Sequence, residues 1–190
     1  MNFLDREIER INGILQTNVE TRTQDKSFLE HEIAMFKGSR RQNMMFSGCR
    51  YYNGEHDILS RKRTVIGEGG EVTAVDNLPN NHIIDNQYKK AVIQKVNYLL
   101  GQPFVVRTDN KAYGGSLNEI FNKDFMRLLK NVYKDSLNCG IGWVFVNYDE
   151  NGELTFTRLR PYECIPIWHD TEHTKLECFI RFYPTIDYKG

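Results

Sequence analysis

Cys164, His169, His173 and Cys178 form the densest run of metal-binding residue types in the chain, spaced Cys-x4-His-x3-His-x4-Cys. Thiolates and neutral imidazoles are the ordinary ligands of zinc, and a His-x3-His step lies within the usual range. Each cysteine sits among apolar, strand-type neighbours rather than in a knuckle turn. The pattern therefore reads as two core thiols flanking a solvated turn, and no metal is expected. A zinc hydrolase built on these four residues is the enzyme-class alternative.

Other chemistry-bearing spacings are weaker. Residues 67–71, Gly-Glu-Gly-Gly-Glu, suggest a phosphate loop but lack the Gly-Lys-Ser/Thr ending and do not join a strand to a helix, so they read as a turn. Asp149, Asn151 and Gly152 lack the ligand spacing of a calcium loop and read as a hairpin turn. Glu55-His56-Asp57 follows a helix-ending Asn-Gly, where solvated charges are ordinary. No Gly-x-Ser-x-Gly elbow or His-Glu-x-x-His run is present, so catalytic residues, cofactors and enzymatic activity are not expected.

One charge asymmetry remains. Residues 37–63 hold seven basic side chains, Lys37, Arg40, Arg41, Arg50, Arg61, Lys62 and Arg63, against Glu55 and Asp57. Phe46, Tyr51 and Tyr52 are interleaved with them. Basic residues alternating with aromatics can track a nucleic-acid backbone, and a solvated helix face with a subunit contact would look the same. Arg40, Arg41, Arg50, Arg61, Lys62 and Arg63 are thus candidate nucleic-acid or subunit contacts.

The whole chain is electrically balanced, with 25 basic and 25 acidic residues among 190, and 12% aromatics. Balance argues against a polybasic binder, and the aromatic content argues against a disordered tail. The start has no signal-peptide pattern, and the uncharged stretch around Tyr98 to Val106 is far shorter than the ~20 residues of a membrane helix. These features predict a soluble, intracellular protein in which the four cysteines are free thiols.

The elements that would carry these residues follow from periodicity. Leu4, Ile8, Ile11 and Leu15 predict a helix over 3–16, and a polar linker follows over 17–26. Residues 1–26 are read as an appendage and 27–190 as one domain. Ser27 with Glu30 opens a helix through Phe36, and Ser39 caps a second that ends at Gly54. Residues 64–81 read as an irregular or hairpin-like loop. Asn81 is placed as the cap of a helix striped with Ile84, Tyr88, Val92, Val96 and Leu99, stopped by Gly101 and Pro103. Phe104–Thr108 reads as a short strand. Ser116 and Glu119 suggest a capping box for one long helix reaching Val132. Ile141–Tyr148, apolar on both faces, is expected to be a central strand, followed by strands 153–159, 162–168 and 176–183. The fold class is α+β: N-terminal helices and one long helix packed on an antiparallel meander.

Several segments, in order, resemble the portal proteins of long-tailed bacteriophages. They are Tyr51-Tyr52-Asn-Gly-Glu-His-Asp-Ile58-Leu59 with Arg61-Lys-Arg63, then Asn80-Asn81-His82 with Lys90 to Val96 and Tyr98-Leu-Leu-Gly-Gln-Pro103. Gly140-Ile-Gly-Trp-Val-Phe-Val-Asn-Tyr-Asp-Glu-Asn-Gly152, Arg160-Pro-Tyr-Glu-Cys-Ile-Pro166-Ile-Trp-His-Asp170 and Ile180-Arg-Phe-Tyr183 complete the set. The resemblance implies a structural subunit of a dodecameric ring at one capsid vertex, through which DNA is packaged and ejected and to which the tail attaches. It implies contacts with copies of itself, capsid and scaffolding proteins, terminase, head-completion or tail adaptor proteins, and double-stranded DNA, in the virion after assembly in the host cytoplasm, with no membrane. Members of that family are usually more than twice this length and continue into a stem, clip, tunnel loop and crown. The segment is therefore expected to correspond to the outer wing. The alternative is a stand-alone nucleic-acid-binding module using residues 37–63.

Overall fold

The computed structural model describes residues 26–75 and 79–186. The helix expected over 3–16 lies outside the described residues, as does the linker expected after it up to Lys26, which opens the first helix.

α1 (Lys26–Phe36) and α2 (Arg40–Asn53) are separated by Gly38, whose φ of 73° reverses the chain. Ser39 caps α2 as expected, its hydroxyl accepting from the Gln42 N–H at 3.2 Å, and Gly54 closes it at φ 91°. A 3-10 turn over Asp57–Ser60 leads into a hairpin of β1 (Thr64–Ile66) and β2 (Val72–Ala74), which bears out the hairpin-like reading of this loop.

α3 (Gln87–Leu100) begins later than expected. Asn86, not Asn81, is its cap: its Oδ1 accepts from the Lys89 N–H at 2.9 Å while its amide donates to the Tyr51 carbonyl at 2.9 Å. Ile84 consequently lies outside the helix. Gly101 follows its last residue, where the stop was expected. Residues 104–108 form no strand.

The long helix expected from Ser116 is two helices, α4 (Lys111–Ile120) and α5 (Lys123–Cys139). Asn110 caps the first and Asn122 the second, the latter accepting from the Asp124 and Phe125 N–H groups at 2.9 and 3.0 Å. Asparagine competes with the helix by hydrogen-bonding local backbone, so the better cap at Asn122 interrupts the apolar stripe. Ser116 is interior to α4. At ~1.5 Å per residue α5 is about 25 Å long, and it ends on Gly140 at φ 80°.

The C-terminal half is antiparallel, as expected, but its ladder is interrupted. β3 (Trp143–Tyr148) pairs with β4 (Leu154–Leu159), and β5 (Cys164–Trp168) pairs with β6 (Leu176–Arg181), as two separate hairpins. Pro161–Glu163 forms a 3-10 turn between them, and proline cannot donate to a ladder.

The core also lies elsewhere than expected. Ile165 and Ile167 of β5, Ile180 of β6, Phe36 of α1 and Met45 of α2 are buried together, flanked by Phe28, Ile33, Ile141 and Phe182. Strand β5 is the buried one. The run 141–148, read as central, has Phe145 and Val146 about half exposed. A second apolar cluster joins Phe104, Phe121, Phe125 and Phe156, with successive ring centroids 5.3, 5.0 and 4.9 Å apart, where α4 and α5 meet the β3–β4 hairpin. The α+β class stands.

Candidate assembly surface

The cysteine–histidine set does not converge. Cys164 lies opposite Arg181 in the β5–β6 ladder, whereas Cys178 lies opposite Ile167, so the two thiols are offset along the hairpin. His169 Nδ1 lies 3.2 Å from a Glu177 oxygen, and the His173 ring stacks on Trp168 with centroids 5.2 Å apart. Among the described residues no group of three or more His, Cys, Asp and Glu side chains is placed to hold a metal ion. Burial pushes the Cys164 thiol up to about 11, the behaviour of a core thiol.

The other polar motifs have local structural partners. Residues 67–71 turn the β1–β2 hairpin, the Gly67 N–H donating to the Glu71 carbonyl at 2.9 Å. Asp149 accepts from the Glu153 and Asn151 N–H groups at 2.8 and 2.9 Å, which shapes the β3–β4 turn and holds its pKa below the usual carboxylate range. Asp57 accepts from the Tyr51 hydroxyl at 2.7 Å and pairs with Arg50. Those two contacts, the tyrosine first, hold its carboxyl below the ordinary value.

The six basic candidates are therefore not equivalent. Arg40 and Arg41 are exposed in the first turn of α2, while Arg50 is in its last turn and engaged with Asp57. These positions are about 15 Å apart along the axis at ~1.5 Å per residue. Arg61, Lys62 and Arg63 are exposed on the extended segment before β1. Its backbone is anchored, the Arg61 carbonyl accepting from the Asn80 amide at 3.0 Å and lying 2.9 Å from a His82 ring nitrogen.

Uncovered apolar surface is the larger feature, and the sequence reading missed it. Every residue of β1 and β2 is exposed, including Val65, Ile66 and Val72, the last two by 76% and 66%. Tyr98 and Leu99 on α3, Ile83 ahead of it and Val105 beyond it are also exposed. A two-stranded hairpin without a covered face is marginal by itself, and contiguous exposed apolar surface is a mark of interaction sites. A signal was present in the sequence: Thr-Val-Ile and Val-Thr-Ala flank the glycine turn and are rich in β-branched residues, with no further apolar segment beside them to cover either face.

One buried polar device holds the neighbouring elements in place. Asp135 on α5, 5% exposed, accepts a bidentate pair of N–H bonds from Arg158 of β4, Nε to Oδ2 and Nη2 to Oδ1, the latter at 2.6 Å. The Asp135 contact, first as a hydrogen bond, raises the Arg158 pKa above its ordinary value. This pins the β3–β4 hairpin onto the helix, beside an open groove lined by Ile120, Phe125, Leu128, Leu154, Phe156 and the Arg158 stem.

A family model described as phage portal protein, SPP1 Gp6-like, matches residues 38–190, from the glycine before α2 onward. The chain belongs to this family. The portal protein of Bacillus phage SPP1 is 31% identical over 146 residues, which cover 77% of this chain and 28% of that protein. The portal protein of Clostridium phage phiCD119 is 29% identical over 162 residues, covering 80% of this chain and 35% of that protein. This portal family member thus spans about a third, or somewhat less, of the length of the curated relatives it matches. Among its described residues no helix is long and apolar enough to cross a membrane.

Proposed function

We propose that this chain is the wing-like part of a phage portal, a structural subunit of the ring at one capsid vertex. DNA would pass through that ring during packaging and ejection, and the tail would attach to it. The reading is carried by the family match over residues 38–190. The uncovered β1–β2 hairpin supports it, because self-assembly would bury Val65, Ile66 and Val72. Head-to-tail contacts between copies close into a ring when their rotation closes, and such contacts use two different faces of one subunit. Residues 27–190 form the wing-like unit in this reading, and residues 1–26 are an appendage to it. Arg40, Arg41, Arg61, Lys62 and Arg63 serve as contacts to a neighbouring copy or to DNA, with Arg50 held by Asp57. Capsid and scaffolding proteins, terminase and head-completion or tail adaptor proteins are the further partners, and the virion is the site of action.

Light scattering with negative-stain imaging tests the assembly directly. Multimers that disappear in an Ile66→Lys/Val72→Lys variant are the expected result. A chain that remains monomeric at high concentration, with those side chains fully labelled by hydroxyl-radical footprinting, would overturn the role given to this surface. A stand-alone nucleic-acid module predicts instead that isolated chains bind DNA, with a log–log salt slope of about −0.9 per neutralised phosphate.

A further inference from the structure

Two cysteines outside the motif discussed above meet at the crossing of α2 and α5. The Cys49 and Cys139 sulfurs are 3.6 Å apart, on residues separated by 90 positions in sequence. The residues immediately before them are in closer contact still. A Cβ on Gly48 would lie 2.0 Å from the Asn138 carbonyl oxygen, so the two helix backbones touch beside both thiols. Bridging needs a backbone approach of this kind together with thiols that face each other. Both cysteines are free and only partly buried, whereas Cys164 is sealed in the core.

We propose that Cys49 and Cys139 are an oxidisable pair that closes to a disulfide on exposure to a small-molecule disulfide, clamping α2 to α5. The Cys49 thiolate attacks one sulfur of the reagent, forming a mixed disulfide and releasing one reagent thiolate. The Cys139 thiolate then attacks Cys49 Sγ, forming the internal bond and expelling the second reagent thiolate. Two protein thiols lose one electron each and the reagent gains both. The two protons pass through solvent to the released thiolates. The surroundings favour Cys49 as the first nucleophile. The hydrogen bond shared with Cys139 comes first, and Arg158 and Arg160 add positive potential, outweighing burial and Asp135 to bring the Cys49 pKa down to about 7. The Cys139 thiol is correspondingly pushed up, by that hydrogen bond first and then by burial.

The chemistry rests on the helix crossing alone. Its occasion rests on the portal reading, since virion surfaces, unlike the cytoplasm of most cells, retain disulfides. The bond would close a long loop around the helical part of the fold, restricting the unfolded chain.

The test is incubation of the full chain with oxidised or reduced glutathione, followed by denaturation, alkylation and peptide mapping. The expected result is a Cys49–Cys139 linked peptide pair and a fall from four titratable thiols to two. The product should be an unchanged monomer mass less two hydrogens, restored by dithiothreitol. A Cys164→Ser/Cys178→Ser variant should form the same bond, and if it fails to fold, the wild-type peptide map decides. Retention of four thiols, a persistent glutathione adduct, or links involving Cys164, Cys178 or a second chain would overturn the pairing. These readouts do not require assembly, so failure of the portal reading leaves them intact, and their failure leaves the portal reading standing.

Discussion

Asp135 shows how much of this fold depends on single polar side chains. Its carboxylate is buried on α5, and Arg158 from β4 supplies a bidentate partner. Removing the arginine leaves an unpaired charge in a poor solvent, which costs far more than the pair contributes. Arg158→Met should therefore destabilise the protein by roughly 2–4 kcal/mol, the arginine's partial exposure keeping the figure below that of a sealed pair. Urea unfolding checks this, and Asp135→Asn/Arg158→Met should recover part of the loss. Asp170, by contrast, lies half-covered in the turn between β5 and β6. The Thr174 hydroxyl, then the Thr174 and Lys175 N–H groups, hold its pKa down to about 2, against about 3.9 for an ordinary aspartate. A depressed native pKa adds stability above the unfolded value, and that stability is lost as pH falls through the native one. The Thr174 and Lys175 amides should stay protected at pH 5 and lose protection between about pH 4 and about pH 2 in hydrogen exchange. Protection unchanged at the acid end would show that the carboxylate does not hold the turn. Neither role is legible in the sequence, where these are simply two of 25 acidic residues.

Among the elements, the ends of α2 follow the sequence expectation, whereas the starts expected at Asn81 and Ser116 give way to caps at Asn86 and Asn110. Ser39 and Gly54 bound α2 as expected because a hydroxyl acceptor and a left-handed glycine are local devices that need no tertiary partner. The break at Phe121 and Asn122 is not legible because the stripe from Leu117 to Val132 runs across it, and periodicity cannot register two residues leaving the helix. The choice of central strand failed for a related reason. Residues 141–148 are more apolar than a half-buried strand needs, but burial goes to β5, which packs against α1 and α2. Ile167→Ala should accordingly cost about 2–5 kcal/mol, whereas Phe145→Ala, half exposed, should cost under about 1 kcal/mol. Chemical denaturation of the two variants decides which strand is structural, and equal losses would restore β3 to the centre. Gly48 offers a third check at this scale. Gly48→Ala places a methyl against the Asn138 backbone, so α2 and α5 must separate, with a loss of roughly 1–3 kcal/mol. An unfolding midpoint unchanged in that variant would mean the crossing is looser than described.

At the scale of the molecule, the apolar surface left on β1, β2 and α3 is more consequential than the basic stripe. Arg50 is already committed to Asp57, and the remaining basic side chains are spread between the start of α2 and the segment before β1. Charge reversal at Arg40, Arg41, Arg61 and Arg63 should therefore alter the salt dependence of assembly while leaving the fold intact, since exposed substitutions usually change stability by less than about 0.5 kcal/mol. Light scattering across a salt series reads this out. Steeply salt-dependent binding of DNA by isolated chains, abolished by the same reversals, would favour the nucleic-acid module instead. The sequence by itself determined the α+β class, the caps of α2, the turns at 67–71 and 149–152, and the ordered segments that resemble portal proteins, because propensities, caps and turn residues act between near neighbours. Only the tertiary structure decided that Asp135 meets Arg158, that Cys49 meets Cys139, that β5 is the buried strand and that Val65, Ile66 and Val72 remain uncovered. Those outcomes depend on which distant surfaces compete for burial, and no local pattern of residue types contains that comparison.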